Sequence, residues 1–270
     1  VLPLSKHLLA VEGNVALYSV ELGTFALDGG GMFGSVPKVI WEESFPPSPR
    51  NTFKMVTRGI LFENQISQYR LLVEVGMGPL HNWSKKEQEI YEITPFDHSL
   101  LGQIKAIVLT HLHFDHANGL YDQVSETPTF PGAKIFLQEA NLKNAQKPHI
   151  KERRSYRKEI LDALSQYDMK LINGEVRLPI PEIEPFTVRV IPSDGHTIGL
   201  QALIIESGKR SFLYPSDLIP THLHLKPPYS LGYDQHAALA IDEKLALLAR
   251  VPKDTEIIFV HDLEKVSTVI

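Results

Sequence analysis

The amino-acid sequence predicts an α/β fold, on three observations. Short aliphatic and β-branched runs recur from Arg70 onward, helical apolar spacing lies between and after them, and His and Asp residues gather where the runs end. The runs are Arg70 to Val75, Ala106 to Leu109, Lys134 to Leu137, Val188 to Ile191, Leu200 to Ile205, Arg210 to Tyr214 and Glu256 to Val260. Each is short enough for a strand and bounded by turn residues. The clearest helix places Ala238, Ile241, Leu245 and Leu248 on one face before Pro252 stops it, and a second is expected over Glu139 to Leu164, broken near Pro148. Phe45 to Pro49 reads as a surface loop rather than a linker, so residues 1–270 are expected to form one domain.

Composition narrows the function. With 43% hydrophobic and 22% charged residues the chain is ordinary for a globular protein, and no apolar run approaches the ~20 residues that span a bilayer. A net charge of −5 argues against nucleic acid as a partner. The one basic run, Lys143 to Lys158, is expected to be a solvated helix face. Cysteine is absent, so neither a disulfide framework nor a thiolate metal site exists, and His and carboxylates are the strong ligands on offer. Val1 to Ala10 carries no signal-peptide pattern. The cytoplasm is therefore the expected location, with a trimmed upstream segment left open and a homodimer allowed.

The histidines carry the chemistry. His111, His113 and His116 follow the run ending at Leu109, His196 follows Ile191, Asp217 follows Tyr214, and His261 follows Val260. Strand ends are where α/β folds build sites on loops held by a rigid scaffold. His111 and His113, two residues apart, would point the same way in an extended segment, and Asp115 and His116 would fall on the turn after it. Imidazole with carboxylate suits Zn²⁺ best here, with Fe, Mn or Co also fitting such a set. A lone His is usually a packing residue. Four potential ligands in the six residues from His111 to His116 are not explained that way.

His111-Leu112-His113-Phe114-Asp115-His116, preceded by Thr110, resembles the HxHxDH signature of the metallo-β-lactamase superfamily. Gly195-His196-Thr197-Ile198-Gly199 is similar to that family's GHTxG segment, Ser216-Asp217 to its bridging aspartate, and Val260-His261-Asp262 to its last histidine. The resemblance runs from about Arg70 to Asp262. It implies an αββα sandwich of two packed mixed sheets with helices on the outer faces, and two divalent metal ions. One ion would be held by His111, His113 and His196, the other by Asp115, His116 and His261, with Asp217 between them. It also implies a hydrolase that attacks with a metal-bridging hydroxide, with Asp115 as the catalytic residue. The other reading is a mononuclear iron protein of the same fold, a thiol or persulfide dioxygenase or a non-hydrolytic binder.

Departures from the family pattern refine the expectation. β-Lactamases of the family carry Cys or Ser at the position of Asp217, flavodiiron members replace His113 by Glu, and nucleases have Gly at Phe114. Small-molecule ester hydrolases remain, with a lactone or phosphotriester favoured. Asp28 to Lys38 and Asp217 to Asp234 resemble a bacterial branch of that side. Gly29, Gly30 and Gly31 would form either a tight loop bringing Met32 and Phe33 over the metals as an apolar wall, or an ordinary hairpin turn. His224 and Tyr233, seven and sixteen residues after Asp217, are candidate donors that either support the metal ligands from behind or face the substrate. Pro220 stands where homoserine-lactone lactonases often have Tyr, and Glu74 where the family's buttressing acid is usually Asp.

Overall fold

A computed structural model describes residues 2–208 and 210–270; Val1, where the N-terminal stretch read above begins, and Lys209 lie outside the described residues. Two mixed sheets pack face to face. In the first, Lys6–Glu12, Val15–Asp28, Thr52–Asn64, Arg70–Val73, Ala106–Val108, Lys134–Gln138 and Asp168–Ile172 lie in that spatial order, with Thr94–Pro95 beside Val15–Asp28. The second runs Val176–Arg177, Thr187–Ser193, Leu200–Ser207, Arg210–Tyr214, Glu256–Ile258 and Ser267–Val269.

Residue parity builds the layers, because successive strand side chains point to opposite faces. Leu71, Val73, Ala106, Val108 and Phe136 meet Val188, Val190, Leu203, Ile205, Phe212 and Tyr214 in the core between the sheets. Their alternates Leu72, Ile107, Ile135 and Leu137 turn outward onto Ala145, Ile160 and Leu164 from the helical segments over residues 139–166. On the far side Ala202, Ile204, Leu213 and Ile257 pack on Ala240 and Leu247 of the helix Ala237–Arg250. The order is helix, sheet, sheet, helix.

Each sheet contains a parallel pair that aims its C-terminal ends at the same edge. Arg70–Val73 runs parallel to Ala106–Val108, and Arg210–Tyr214 to Glu256–Ile258. Cross-sheet backbone bonds stitch that edge together: Gln201 N–H to the Thr110 carbonyl at 2.9 Å, and Arg58 N–H to that of Val260 at 2.8 Å. The buried Arg58 guanidinium also donates to the carbonyls of Phe259 and Asp262, at 2.6 and 2.8 Å, which fixes the turn carrying His261.

Several expectations are corrected. The C-terminal helix is present, but its buried face is Ala240, Lys244 and Leu247. Ala238 and Leu245 are exposed, because Lys244 turns inward to reach three carbonyls. The break expected near Pro148 is present and wide: Glu139–Gln146 ends before it, and a turn of 3-10 helix at Arg153–Ser155 and the helix Lys158–Ala163 follow. The basic run is therefore not one helix face. The three strands before Arg70, and Thr94–Pro95, Asp168–Ile172, Val176–Arg177 and Ser267–Val269 after it, had no counterpart in the sequence reading. Among the described residues no helix is long and apolar enough to cross a membrane.

Candidate metal centre

The loops after the parallel strands deliver six of the ligand-type side chains, and the turn between Thr187–Ser193 and Leu200–Ser207 delivers His196. His111 lies in irregular backbone after Ala106–Val108, and His113 precedes the short helix Phe114–Ala117 that carries Asp115 and His116. The His111 and His113 rings stand 4.5 Å apart between centroids. All seven side chains are buried.

They form two groups, His111, His113, His196 and Asp217, and Asp115, His116, His261 and Asp217, each with its ligand atoms within 4.8 Å of one another. Asp217 belongs to both. Its Oδ2 lies 3.2 Å from His196 Nε2 and 3.4 Å from His116 Nε2, while its Oδ1 lies 3.0 Å from His261 Nε2. Asp115 Oδ2 stands 3.3 Å from His261 Nε2.

The outward nitrogens settle what the inward ones can do. His261 Nδ1 donates to the Val56 carbonyl at 2.9 Å, His196 Nδ1 to Asp234 at 2.9 Å, His116 Nδ1 to Glu74 at 3.1 Å and His113 Nε2 to Glu152 at 3.4 Å. His111 Nδ1 meets the Thr110 hydroxyl at 3.0 Å, and that hydroxyl in turn donates to Glu74. A proton held on the outer nitrogen leaves a lone pair on the inner one. His196 Nε2 and His113 Nδ1 then face each other at 3.2 Å, lone pair to lone pair. His111 Nε2, His116 Nε2, His261 Nε2 and Asp217 Oδ1 are buried without hydrogen-bond partners among the described residues. Buried acceptors pointed at one another are repulsive unless cations lie between them. The donor set thus fits divalent metal ions.

The electrostatics add a proton to this picture: burial pushes His116, His196 and His261 down, but the carboxylates around them outweigh it and raise all three, His261 to about 9, so a metal ion binding there displaces protons from these imidazoles. Burial, then the neighbouring imidazoles of His116 and His113, hold His111 well below its ordinary value, so it is neutral and ready as a ligand. For Asp217 burial pushes upward, but His116, His261 and His196 outweigh it and hold the carboxyl well below the usual range. Burial likewise pushes Glu152 up, and hydrogen bonds from His113, Asn144 and Thr197 win and bring it down to about 2.

Above the two groups opens a cavity of about 260 Å³. Leu27, Met32, Phe114 and Leu231 give it apolar walls, Tyr91 and Tyr233 add hydroxyls, and Lys151, Arg154 and Ser155 come from the basic run. Met32 and Tyr233 therefore line the cavity, whereas Phe33 and His224 do not. Phe33 is fully buried, its ring 4.7 Å from that of Trp41 and 5.5 Å from that of His224. His224 donates from Nε2 to the Met32 carbonyl at 2.9 Å and is pushed down to about 4 by burial. Both support Met32 from behind, a correction of the wall expected at Phe33 and the donor expected at His224. The Gly-rich run is neither tight loop nor hairpin but a short helix, Gly29–Phe33, capped by Asp28. Gly31 is required because Tyr233 packs where a Cβ would stand.

Sequence reasoning missed Glu152 and Asp234. A signal existed for Glu152: it is the one acid between Lys143 and Lys158. Glu74, standing where the family's buttressing acid is usually Asp, reaches both Thr110 and His116.

The family model of the metallo-beta-lactamase superfamily matches residues 97–261. The chain belongs to the metallo-beta-lactamase superfamily. Within it, an N-acyl homoserine lactonase from a Bacillus species is 31% identical over 163 residues, covering 59% of this chain and 56% of the relative. The chain thus spans little more than half the length of the curated relatives it matches. A probable metal-dependent hydrolase from Staphylococcus aureus is 25% identical, with a TM-score of 0.82 over 94% of this chain and 92% of that one. A dizinc quorum-quenching lactonase in complex with its product N-hexanoyl-L-homoserine has a TM-score of 0.72 over 98% and 93%; at 18% identity it speaks to the fold alone. The superfamily's sandwich is the fold described above.

Proposed function

We propose that this chain is a dinuclear metal-dependent hydrolase of small-molecule esters, with a lactone or a phosphotriester as its substrate and the whole chain acting as one domain. One observation carries the reading: Asp217 belongs to both of two groups of buried ligand atoms, several of them without hydrogen-bond partners among the described residues, at the floor of a cavity. Two cations ~3.5–4 Å apart need an anion between them, and such a pair lowers the pKa of a shared water towards ~7 and polarises an ester oxygen. Zinc suits the five imidazoles best.

The chain's own residues do the rest. Asp115 lines the cavity and is placed to orient the attacking water and accept its proton at the carboxylate. Leu27, Met32, Phe114 and Leu231 bind the apolar part of the substrate and exclude bulk water. Tyr233 lines the same cavity and can offer its hydroxyl to a substrate oxygen. The lactonase relatives favour a lactone, and Asp217 argues against β-lactams as the main substrates.

Purified protein reconstituted with Zn²⁺ should be assayed on lactones, phosphotriesters, thioesters and nitrocefin. Turnover of a lactone or phosphotriester, abolished by chelation and restored by metal, is expected. Absence of any hydrolysis from a fully loaded protein, or oxygen consumption with a thiol or persulfide, would contradict the proposal and favour the mononuclear iron reading.

A further inference from the structure

Outside the ligand set, the cavity lining carries full charge only at Lys151 and Arg154 among the described residues, and both are positive. This is not a by-product of a basic protein, since the chain has a net charge of −5. Nor are the two cations neutralised locally. Glu152, the acid between them in sequence, is engaged by Asn144 at 2.9 Å and Thr197 at 2.7 Å as well as by His113. Arg157, on the same run, is occupied with Glu87 at 3.1 Å and lies over the Trp83 ring. Arg154 forms no ion pair among the described residues, and Lys151 donates to the carbonyl of Asp234, whose carboxylate holds His196. Both residues are solvent-exposed where they line the cavity, Lys151 tethered through the Asp234 carbonyl and Arg154 with no ion pair among the described residues.

A concave site with one sign of charge and low-dielectric walls concentrates ions of the opposite sign. The guanidinium fork matches the two oxygens of a carboxylate or phosphate. We infer that Arg154, with Lys151 beside it, binds an anionic group on the substrate, so that the esters taken here bear a carboxylate or phosphate remote from the bond that is cleaved. The inference rests on the hydrolase reading above and narrows its substrate class.

The test uses the metal-loaded protein and three esters of equal length ending in a carboxylate, a phosphate or a neutral carboxamide. At low salt at least one anionic ester should exceed the carboxamide in kcat/KM by about tenfold, the scale of one charge-assisted hydrogen bond, with the difference in KM. Added salt should shrink the ratio. Arg154→Gln should bring it near unity, and Arg154→Lys should keep most of it. Calorimetric binding of the non-cleavable amide analogue of the preferred ester should weaken by the same factor in Arg154→Gln. The carboxylate and phosphate arms decide between the two anions. Equal turnover of all three esters by the wild type, or an unchanged ratio in Arg154→Gln, overturns the inference. If no ester is cleaved while the anionic analogue binds and Arg154→Gln loses it, the hydrolase reading fails and the anion site stands.

Discussion

Glu74, whose own backbone sits in the left-handed region at φ +65°, accepts a hydrogen bond from His116 Nδ1 at 3.1 Å. That unusual conformation turns a long carboxylate under the metal loop, where it also takes the Thr110 hydroxyl. Removing such an outer partner typically costs 10–100-fold in metal affinity. Glu74→Ala is therefore expected to weaken binding of the metal held by His116 by roughly that factor, and Glu74→Gln by less. Competition with a chromophoric chelator measures it; unchanged affinity in Glu74→Ala would remove Glu74 from the role.

Phe33 and Met32 should separate stability from specificity. Phe33 is buried in a cluster with Trp41, Phe45 and Phe53, so Phe33→Ala should cost about 3–5 kcal/mol in denaturant unfolding. Met32 faces the cavity, so Met32→Ala should shift relative kcat/KM between short and long acyl chains more than Phe33→Ala does. The reverse ranking would mean that Phe33 reaches the substrate.

Lys244 is a buried cation whose ammonium donates to the carbonyls of His224, Lys226 and Tyr229 at 2.9, 3.1 and 2.6 Å. Lys244→Met would leave three acceptors without their donor, a loss of about 2–4 kcal/mol. A fall in Tm of roughly 4–12 °C is expected for a chain of this size. Thermal unfolding within 1 °C of wild type would contradict this assignment.

The same lysine shows where the sequence stops being legible. Apolar spacing pointed to the face with Ala238 and Leu245, because no pattern rule expects a lysine to be the inward residue; its three carbonyl partners lie on a segment fixed only by the tertiary fold. Val15–Asp28 lacks alternation since it is buried along most of its length on both faces, and Thr52–Asn64 is interrupted by Arg58, whose partners Phe259 and Asp262 are distant in the chain. Seven of the strands from Arg70 onward are short, aliphatic and bounded by turns, and were readable, whereas Asp168–Ile172, with alternate positions exposed at the sheet edge, was not. So were the seven ligand-type side chains that the fold brings together, because one six-residue segment supplies four of them. The residues that orient it, Glu152 and Asp234, come from other segments and became visible only when the loops were placed together.

In the proposed reaction Asp115 would serve both as a ligand and as the base that receives a proton. Asp115→Asn keeps an oxygen of similar shape but removes the charge and the proton acceptor. At full metal occupancy kcat should fall by roughly 10²–10⁴, with a smaller change in KM. Near wild-type turnover in a fully loaded Asp115→Asn enzyme would exclude Asp115 as the base.

Metal stoichiometry with anomalous diffraction from the Zn²⁺-loaded protein bears on everything above. Two ions per chain are expected, one among His111, His113 and His196, the other among Asp115, His116 and His261, with Asp217 bound to both. A single ion or none after reconstitution, or a metal more than ~5 Å from His196 or His261, would contradict the dinuclear site.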